Sequence, residues 1–376
     1  MSAPPTVQAR PRATIDLAAL VGNYRIILDR LAGGAVAAMV KADGYGLGAI
    51  PVADALWAAG CRRFFVARLD EGIALRAALP EAEINVLDGV VPGTGPELAA
   101  NDLVPIINSI AQLDEWRAAV AGSARSTAAG LHFDSGMGRL GIPADETDWL
   151  ADHPDALGGI EIRHVMSHLA SADVPGSPQS AVQLERFLAI RDRFPAGAAS
   201  LANSAGVFLG PAYHFDLVRP GISLYGGAPF PGSGRPNPMQ SVLTLEAPII
   251  QVRTAAAGET IGYGATHRVT SPARIATVPV GYADGFLRSS SNVGLAAVAG
   301  RAVPIVGRVS MDLITLDVTE LDDGLAQPGA IVELIGPNCP IDEVAGRAGS
   351  IANELLTILG RRLERRYVGR DRPRSD

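Results

Sequence analysis

The stretch AVAAMVKADGYGLGAIPVADALWAAG, residues 35–60, decides how this chain is read. Small and apolar residues run from Ala35 to Val40 and a lysine follows. Gly44, Gly46 and Gly48 then punctuate the chain, and the next segment places Val52, Leu56 and Ala59 on one stripe. That pattern predicts a buried strand, a tight turn and a helix laid back against the strand. Lys41 ends the strand. An amine held in apolar surroundings has a lowered pKa and can form an imine with an aldehyde, whereas a lysine whose head escapes to water implies nothing of the kind.

The same alternation recurs along the first two thirds of the chain. Strands are expected at 35–41, 63–67, 83–88, 103–108, 127–133, 160–167, 198–203 and 214–219, and helical segments at 16–32, 48–59, 70–79, 111–121 and 179–193. Strands and helices alternating in this way predict an α/β fold, a (β/α)8 TIM barrel over 14–240. The competing arrangement, an open doubly wound sheet, lacks its glycine fingerprint after the first strand. Residues 228–240, APFPGSGRPNPMQ, read as a loop or linker. The runs VLTLEAPIIQVRT, ARIATVPVGYA, AAVAGRAVPIVGRVSMDLITLDV and AIVELIG that follow are short and turn-punctuated, which predicts a C-terminal mainly β domain over 241–376. A helix over SIANELLTILGRRL is expected to close it, and residues 1–13 read as a flexible N-terminal arm.

Composition narrows the functions available. A chain of 376 residues that is 48% hydrophobic can build two cores, and a net charge of −7 without a basic patch argues against nucleic acid as a partner. The two cysteines, Cys61 and Cys339, are far apart and lack metal-ligand spacing, so a reducing compartment and no metal site are expected. The N-terminus has no apolar signal core, and no run approaches the roughly 20 apolar residues that span a bilayer. A cytoplasmic protein with no membrane contact is the expectation.

In a barrel the site lies at the C-terminal ends of the strands. There the sequence gathers Lys41 after the first strand, His132 and Asp134 after the fifth, His168 after the sixth, Asn203 and Ser204 after the seventh and Arg219 after the eighth. The seventh strand runs into NSAG, residues 203–206, and the eighth into RPGISLYG, residues 219–226. Loops in these positions commonly hold a phosphate through backbone amides; Gly221 and Ile222 can offer amides and Ser204 a hydroxyl. A buried lysine with a phosphate cradle suggests pyridoxal phosphate. Arg219 lies between cradle and axis, and an arginine against the pyridine nitrogen would keep that nitrogen unprotonated.

Taken together, VKADGYGLGA, HFDSGMGRLG, SHLASAD, NSAG, RPGISLYG, GETIGYGATH, GYADGF and GRVSMD resemble the alanine racemases, fold-type III pyridoxal phosphate enzymes, over roughly residues 12–367. The resemblance implies that Lys41 is the Schiff-base lysine and one of two catalytic bases. Tyr263 would be the other, supplied by the partner subunit of a head-to-tail homodimer. It implies that Tyr45, Ser204, Gly221 and Ile222 hold the phosphate, with Asn203 beside them, and that Arg219 meets the pyridine nitrogen with His168 bonded to Arg219. Arg139 would contact cofactor and substrate carboxylate, the Met311 backbone would meet that carboxylate, and Asp312 and Tyr282 would line the entryway. The substrate implied is alanine, with D-alanine serving as a peptidoglycan precursor or being degraded.

Three positions depart from the family's pattern. His132 stands where the family usually has a carbamylated lysine whose charge anchors the arginine at 139. A neutral imidazole carries no such charge, so an anion such as chloride or a water network is expected in its place. Asn353 replaces a tyrosine that donates to the phosphate, and Leu47 replaces a common histidine. A racemase of broader specificity and a weakened or non-catalytic pyridoxal phosphate-binding relative are the alternatives; a decarboxylase would place a carboxylate, not Arg219, at the pyridine nitrogen.

Overall fold

A computed structural model describes residues 10–122 and 127–369. They form two compact units: residues 21–224 with 228–239, and residues 10–20 with 225–227 and 240–369.

The first unit is the barrel. Its parallel strands run Ala38–Met39, Arg63–Val66, Glu83–Val86, Val104–Ile107, Ala128–His132, Glu161–Met166 and Ala198–Ser200, each pairing with the next. The ring closes through Leu217–Val218, which pairs in parallel with Ala35–Val36 and whose flanking Asp216 N–H and Arg219 N–H donate to Ala199 O and Ala202 O, on and just after the strand Ala198–Ser200. The strands sit where the apolar runs predict, trimmed at their ends. Phe64, Phe65 and Val66, or Val104, Ile106 and Ile107, are buried in succession, as expected of parallel strands covered on both faces. Helices Ala49–Ala58, Leu69–Ala78, Ile110–Val120 and Pro178–Arg193 cover the ring where the periodicity places them. Ala144–Asp152 adds a helix after the fifth strand.

Polar groups also occupy this core. His164, 1% exposed, meets Glu83 Oε1 at 2.8 Å through Nε2, and Asn85 donates to the same oxygen and to the Phe64 carbonyl.

The second unit is mainly β. Its six-stranded sheet runs, in spatial order, Arg301–Pro304, Leu295–Val298, Ile331–Ile335, Leu243–Pro248, Arg12–Asp16 and Glu364–Val368. A three-stranded sheet, Gln251–Ala255, Ala273–Val278 and Ile314–Asp317, packs a small core of Ala255, Ile261, Val269, Ala273, Ile275 and Val306.

Two expectations change here. Residues 12 and 13, assigned above to a flexible arm, begin a strand that pairs antiparallel with Leu243–Pro248 and parallel with Glu364–Val368. Residues 10–20 therefore group with the C-terminal unit rather than opening the barrel. Asp16 ends that strand and accepts from Ala18 N and Ala19 N, capping helix Leu17–Leu28. The closing helix is also shorter than expected: it spans Ala352–Thr357 and gives way to the strand Glu364–Val368. Gly360 sits in between, too close to the 283–284 backbone to carry a Cβ, and donates to Asp284 O. Among the described residues no helix is long and apolar enough to cross a membrane.

Candidate active site

Lys41 stands where the first barrel strand gives way to a turn of unusual hand. Ala42, Asp43, Gly44 and Tyr45 have φ of 53, 54, 61 and 55°, a single left-handed helical turn. Each non-glycine residue there costs about 1–2 kcal/mol, so the surroundings must hold it. Asp43 Oδ1 accepts from Ala49 N at 2.8 Å and Glu71 Oε1 from Ala42 N at 2.7 Å. Gly44 packs so close to Ala49 that a Cβ would lie 3.1 Å from its backbone. The Lys41 amine has a lowered pKa: burial is the main cause, Arg139 and Arg219 add repulsion, and Glu71 and Asp88 pull the other way.

The turn delivers Tyr45 to the loop after the eighth strand. The Tyr45 hydroxyl lies 2.0 Å from where a Cβ on Gly221 would stand, so only glycine fits at 221. Burial pushes the phenol up to about 12, which keeps it a neutral donor. Ser204 Oγ accepts from Gly221 N at 2.9 Å and Ser223 N at 3.2 Å, leaving its own proton to donate outward. Ile222 N–H has no acceptor among the described residues, and the buried Ser223 Oγ has no partner there either. The Ser204 hydroxyl, the Tyr45 phenol and the Ile222 N–H gather at this loop, and three such donors fit a phosphate group. Asn203, by contrast, spends its amide locally, accepting from Gly206 N and donating to Leu169 O.

Arg219, 3% exposed, is the cation of the site. Its guanidinium donates to Ser200 Oγ and, at 2.5 Å, to Ser167 O. Burial lowers its pKa only to about 9, so it stays charged at neutral pH. The bond expected from His168 is not formed: the Arg219 charge acts on His168 without one, and the His168 pKa is well below the usual value because of burial and then Arg219, Arg139, His132 and Lys41. That coupling places Lys41, His132, Arg139, His168 and Arg219 in one group within the barrel unit.

His132 Nδ1 meets Asn108 Oδ1 at 2.8 Å. The Asn108 amide nitrogen donates to Leu87 O and Ile106 O, which fixes its oxygen as the acceptor and hence Nδ1 as the protonated nitrogen. Burial, with Arg219 and Arg139, lowers the His132 pKa to about 3, against the pull of Asp134. The imidazole is neutral and supplies no negative charge to Arg139, which is exposed and makes no hydrogen bond among the described residues. Asp134 shapes the loop: its carboxylate accepts from Gly136, Met137 and Gly138. Leu47 is fully buried.

The remaining predicted residues belong to the β unit. Tyr263, 72% exposed, rides a turn between Gly262 and Gly264, and the Arg308 guanidinium packs against it, 3.1 Å from a Cβ at Gly264. Tyr282 and Met311 are tied by backbone bonds, Tyr282 N to Ser310 O and Ala283 N to Met311 O. Arg362 braces the same two loops, gripping Asp284 with two bonds of 2.9 Å and Asp312 with one of 2.7 Å. The Asn353 side chain, half-buried, makes no hydrogen bond among the described residues. Glu71, Asn108, Ser167, Ser200 and Arg362 were not singled out from the sequence, where each looks like an ordinary cap, loop or surface residue.

Residues 15–229 match the sequence profile of the alanine racemase N-terminal domain and residues 242–367 that of the C-terminal domain. The alanine racemase of Acidiphilium cryptum is 49% identical over 355 residues, 94% of this chain and 98% of that protein. That of Rhodospirillum rubrum is 48% identical, covering 95% of each. A protein of Mesorhizobium japonicum described as a catabolic alanine racemase is 48% identical, covering 95% of this chain and 93% of its own. Among solved structures, alanine racemase from Bartonella henselae with covalently bound pyridoxal phosphate superposes with a TM-score of 0.91 at 38% identity, covering 96% of this chain and all of that one.

Proposed function

The chain belongs to the alanine racemase family, and we infer that it interconverts L- and D-alanine with pyridoxal phosphate, Lys41 and Tyr263 carrying the proton on opposite faces of the substrate. The observation that carries the reading is the pairing, within one unit, of a lysine whose pKa is lowered by burial with the Ser204 hydroxyl, the Tyr45 phenol and the Ile222 N–H at the loop after the eighth strand. When bound, pyridoxal phosphate would supply the electron sink that lets the α-proton leave.

The chain's own residues do the rest. Ser204, Tyr45 and Ile222 hold the phosphate, and Gly221, lacking a side chain, makes room for the Tyr45 hydroxyl. Arg219, pinned by Ser167 and Ser200, offers a charged donor to the ring nitrogen and no proton-accepting carboxylate. Arg139 and the Met311 N–H take the substrate carboxylate. Lys41 takes or returns the α-proton on one face and Tyr263 on the other, and the two exchange the roles of acid and base with the direction of the reaction. Tyr282 and Asp312 line the approach, Asp312 braced by Arg362. Asn353 adds a short donor toward the phosphate.

The same reading extends to a cytoplasmic homodimer in which Tyr263 serves the partner subunit's cofactor. Its support is that Tyr263, Tyr282 and Met311 are 72, 44 and 52% exposed on their own unit, so these side chains are free to meet another surface. The C-terminal match over 242–367 favours an enzyme over a barrel-only cofactor carrier. The domain division that goes with this reading is a barrel holding the cofactor and a β unit carrying the second base.

The test is chiral chromatography of mixed L-amino acids after incubation with the protein and pyridoxal phosphate, with borohydride trapping and peptide mapping of the holoenzyme. D-alanine as the product and label on Lys41 are expected. Several D-products would establish the broader racemase. Label on Lys41 with no D-product would leave the non-catalytic relative.

A further inference from the structure

We propose that Glu71 positions Lys41: its carboxylate clamps the backbone next to the lysine to the start of the second barrel helix and places a negative charge beside the amine. The inference rests on the reading of Lys41 given above and names a residue that reading did not use.

Two observations carry it. The first is geometric. Glu71 Oε1 accepts from Ala42 N, the residue after Lys41, at 2.7 Å. Its other oxygen accepts from Ala67 N at 2.8 Å and Arg68 N at 3.3 Å, at the end of strand Arg63–Val66 and the start of helix Leu69–Ala78. One carboxylate thus joins the ends of two adjacent barrel strands. The bond to Ala42 falls on the first residue of the left-handed turn, where φ is 53°. A backbone in that region relaxes unless it is held, and relaxation at Ala42 swings the Lys41 side chain, because the two share a peptide unit.

The second observation is electrostatic. The charged groups acting on Lys41 are Arg139 and Arg219, which disfavour its ammonium form, and Glu71 and Asp88, which favour it. Glu71 also acts on Asp88, which has Arg68 and Asp70 as further charged neighbours and is itself exposed. Of the two acids, only Glu71 is fixed by backbone bonds to the turn that carries the lysine. It therefore sets both where the amine points and how readily it gives up a proton.

Two substitutions separate these effects. Glu71→Gln keeps the size and one accepting oxygen but removes the charge; Glu71→Asp keeps the charge but draws it back by one methylene. The measurement is the rate at which apoprotein takes up pyridoxal phosphate into a borohydride-trappable form on Lys41, followed across pH. That rate reads the neutral fraction of the amine. Glu71→Gln is expected to move the midpoint to lower pH, because the groups opposing the ammonium form remain and one that favours it is gone. Glu71→Asp is expected to leave the midpoint near wild type and lower the rate at every pH, because Ala42 loses its acceptor. Thermal melting of each apoprotein shows whether it is folded.

An unmoved midpoint in folded Glu71→Gln would overturn the electrostatic half of the proposal. A wild-type rate in Glu71→Asp would overturn the positioning half. If wild-type protein traps no cofactor on Lys41, the reading of Lys41 itself fails, an outcome distinct from both.

Discussion

Gly221→Ala is the most direct probe of the cofactor cradle. The added Cβ would stand 2.0 Å from the Tyr45 hydroxyl and 2.8 Å from its Cζ, where ordinary van der Waals contact begins near 3.4 Å. Something must give by about 1.4 Å. Tyr45 has little room: it is 8% exposed and its backbone is in the left-handed turn. Displacing either Tyr45 or the 219–223 loop draws a donor off the phosphate, and a hydrogen bond to a charged group contributes about 1.5–3 kcal/mol. At about 1.4 kcal/mol per tenfold, the Kd for pyridoxal phosphate should rise about 10- to 150-fold. Absorbance or fluorescence titration of apoprotein measures it, with a melting curve to show that the fold survives. Tyr45→Phe removes one donor and also the atom the Cβ strikes first. The double variant should therefore bind better than the two single losses summed. Strict additivity would mean the hydroxyl is not what the Cβ meets, and an unchanged Kd for Gly221→Ala would remove the phosphate from this loop altogether.

Tyr263→Phe should slow α-proton exchange from L-alanine by a factor on the order of 10² to 10⁴ while sparing exchange from D-alanine; equal slowing in single-turnover deuterium exchange would contradict the two-face assignment. Because His132 is held neutral, with a pKa near 3, and cannot be carbamylated, activity should be indifferent to dissolved carbon dioxide. Assays in degassed and bicarbonate buffers at one pH check this, and a bicarbonate dependence would refute it. Burial alone would raise the Glu83 carboxyl, but His164, Asn85 and Arg63 hold it at about 2 instead of 4.5. A lowered carboxyl stabilises the fold above its unfolded pKa and loses that contribution as pH falls through the folded one. Glu83→Gln should therefore be less stable than wild type at pH 7, with the gap in urea midpoints closing from pH 4.5 toward 2; a gap that persists in full at pH 2 would count against the pairing.

The barrel was legible because its information is local. Each strand is a continuous apolar run, each helix a stripe, and the polar residues that end the runs fall at the ends of the strands. The phosphate loops were legible for the same reason. What escaped was either non-local or disguised. Arg12–Asp16 alternates like any strand, but its partners lie at Leu243–Pro248 and Glu364–Val368, and no window of sequence joins them. The left-handed turn is written largely in Ala42, Asp43 and Tyr45, residues that rarely adopt positive φ, so only Gly44 and Gly46 hinted at it. Glu71 and Asn108 sit at a helix start and a strand end, where acids and amides are common. Their targets, Ala42 N and His132 Nδ1, are 29 and 24 positions away.

The pairing of Arg12–Asp16 has a bearing on how the chain is made. This strand leaves the ribosome before the barrel does, yet it lies between Leu243–Pro248 and Glu364–Val368 in the finished sheet. Residues 21–224 are contiguous, and every barrel strand finds its neighbours among them. The barrel can thus close while the ribosome is still at work, with Arg12–Asp16 waiting, both backbone edges open, until Leu243–Pro248 and Glu364–Val368 emerge. A chain stalled before residue 364 would carry a closed barrel and an unfinished sheet, with the side of Arg12–Asp16 meant for the final strand open to another molecule. Emergence of Glu364–Val368, more than the folding of the barrel, is then the step at which this protein is protected from pairing with its neighbours.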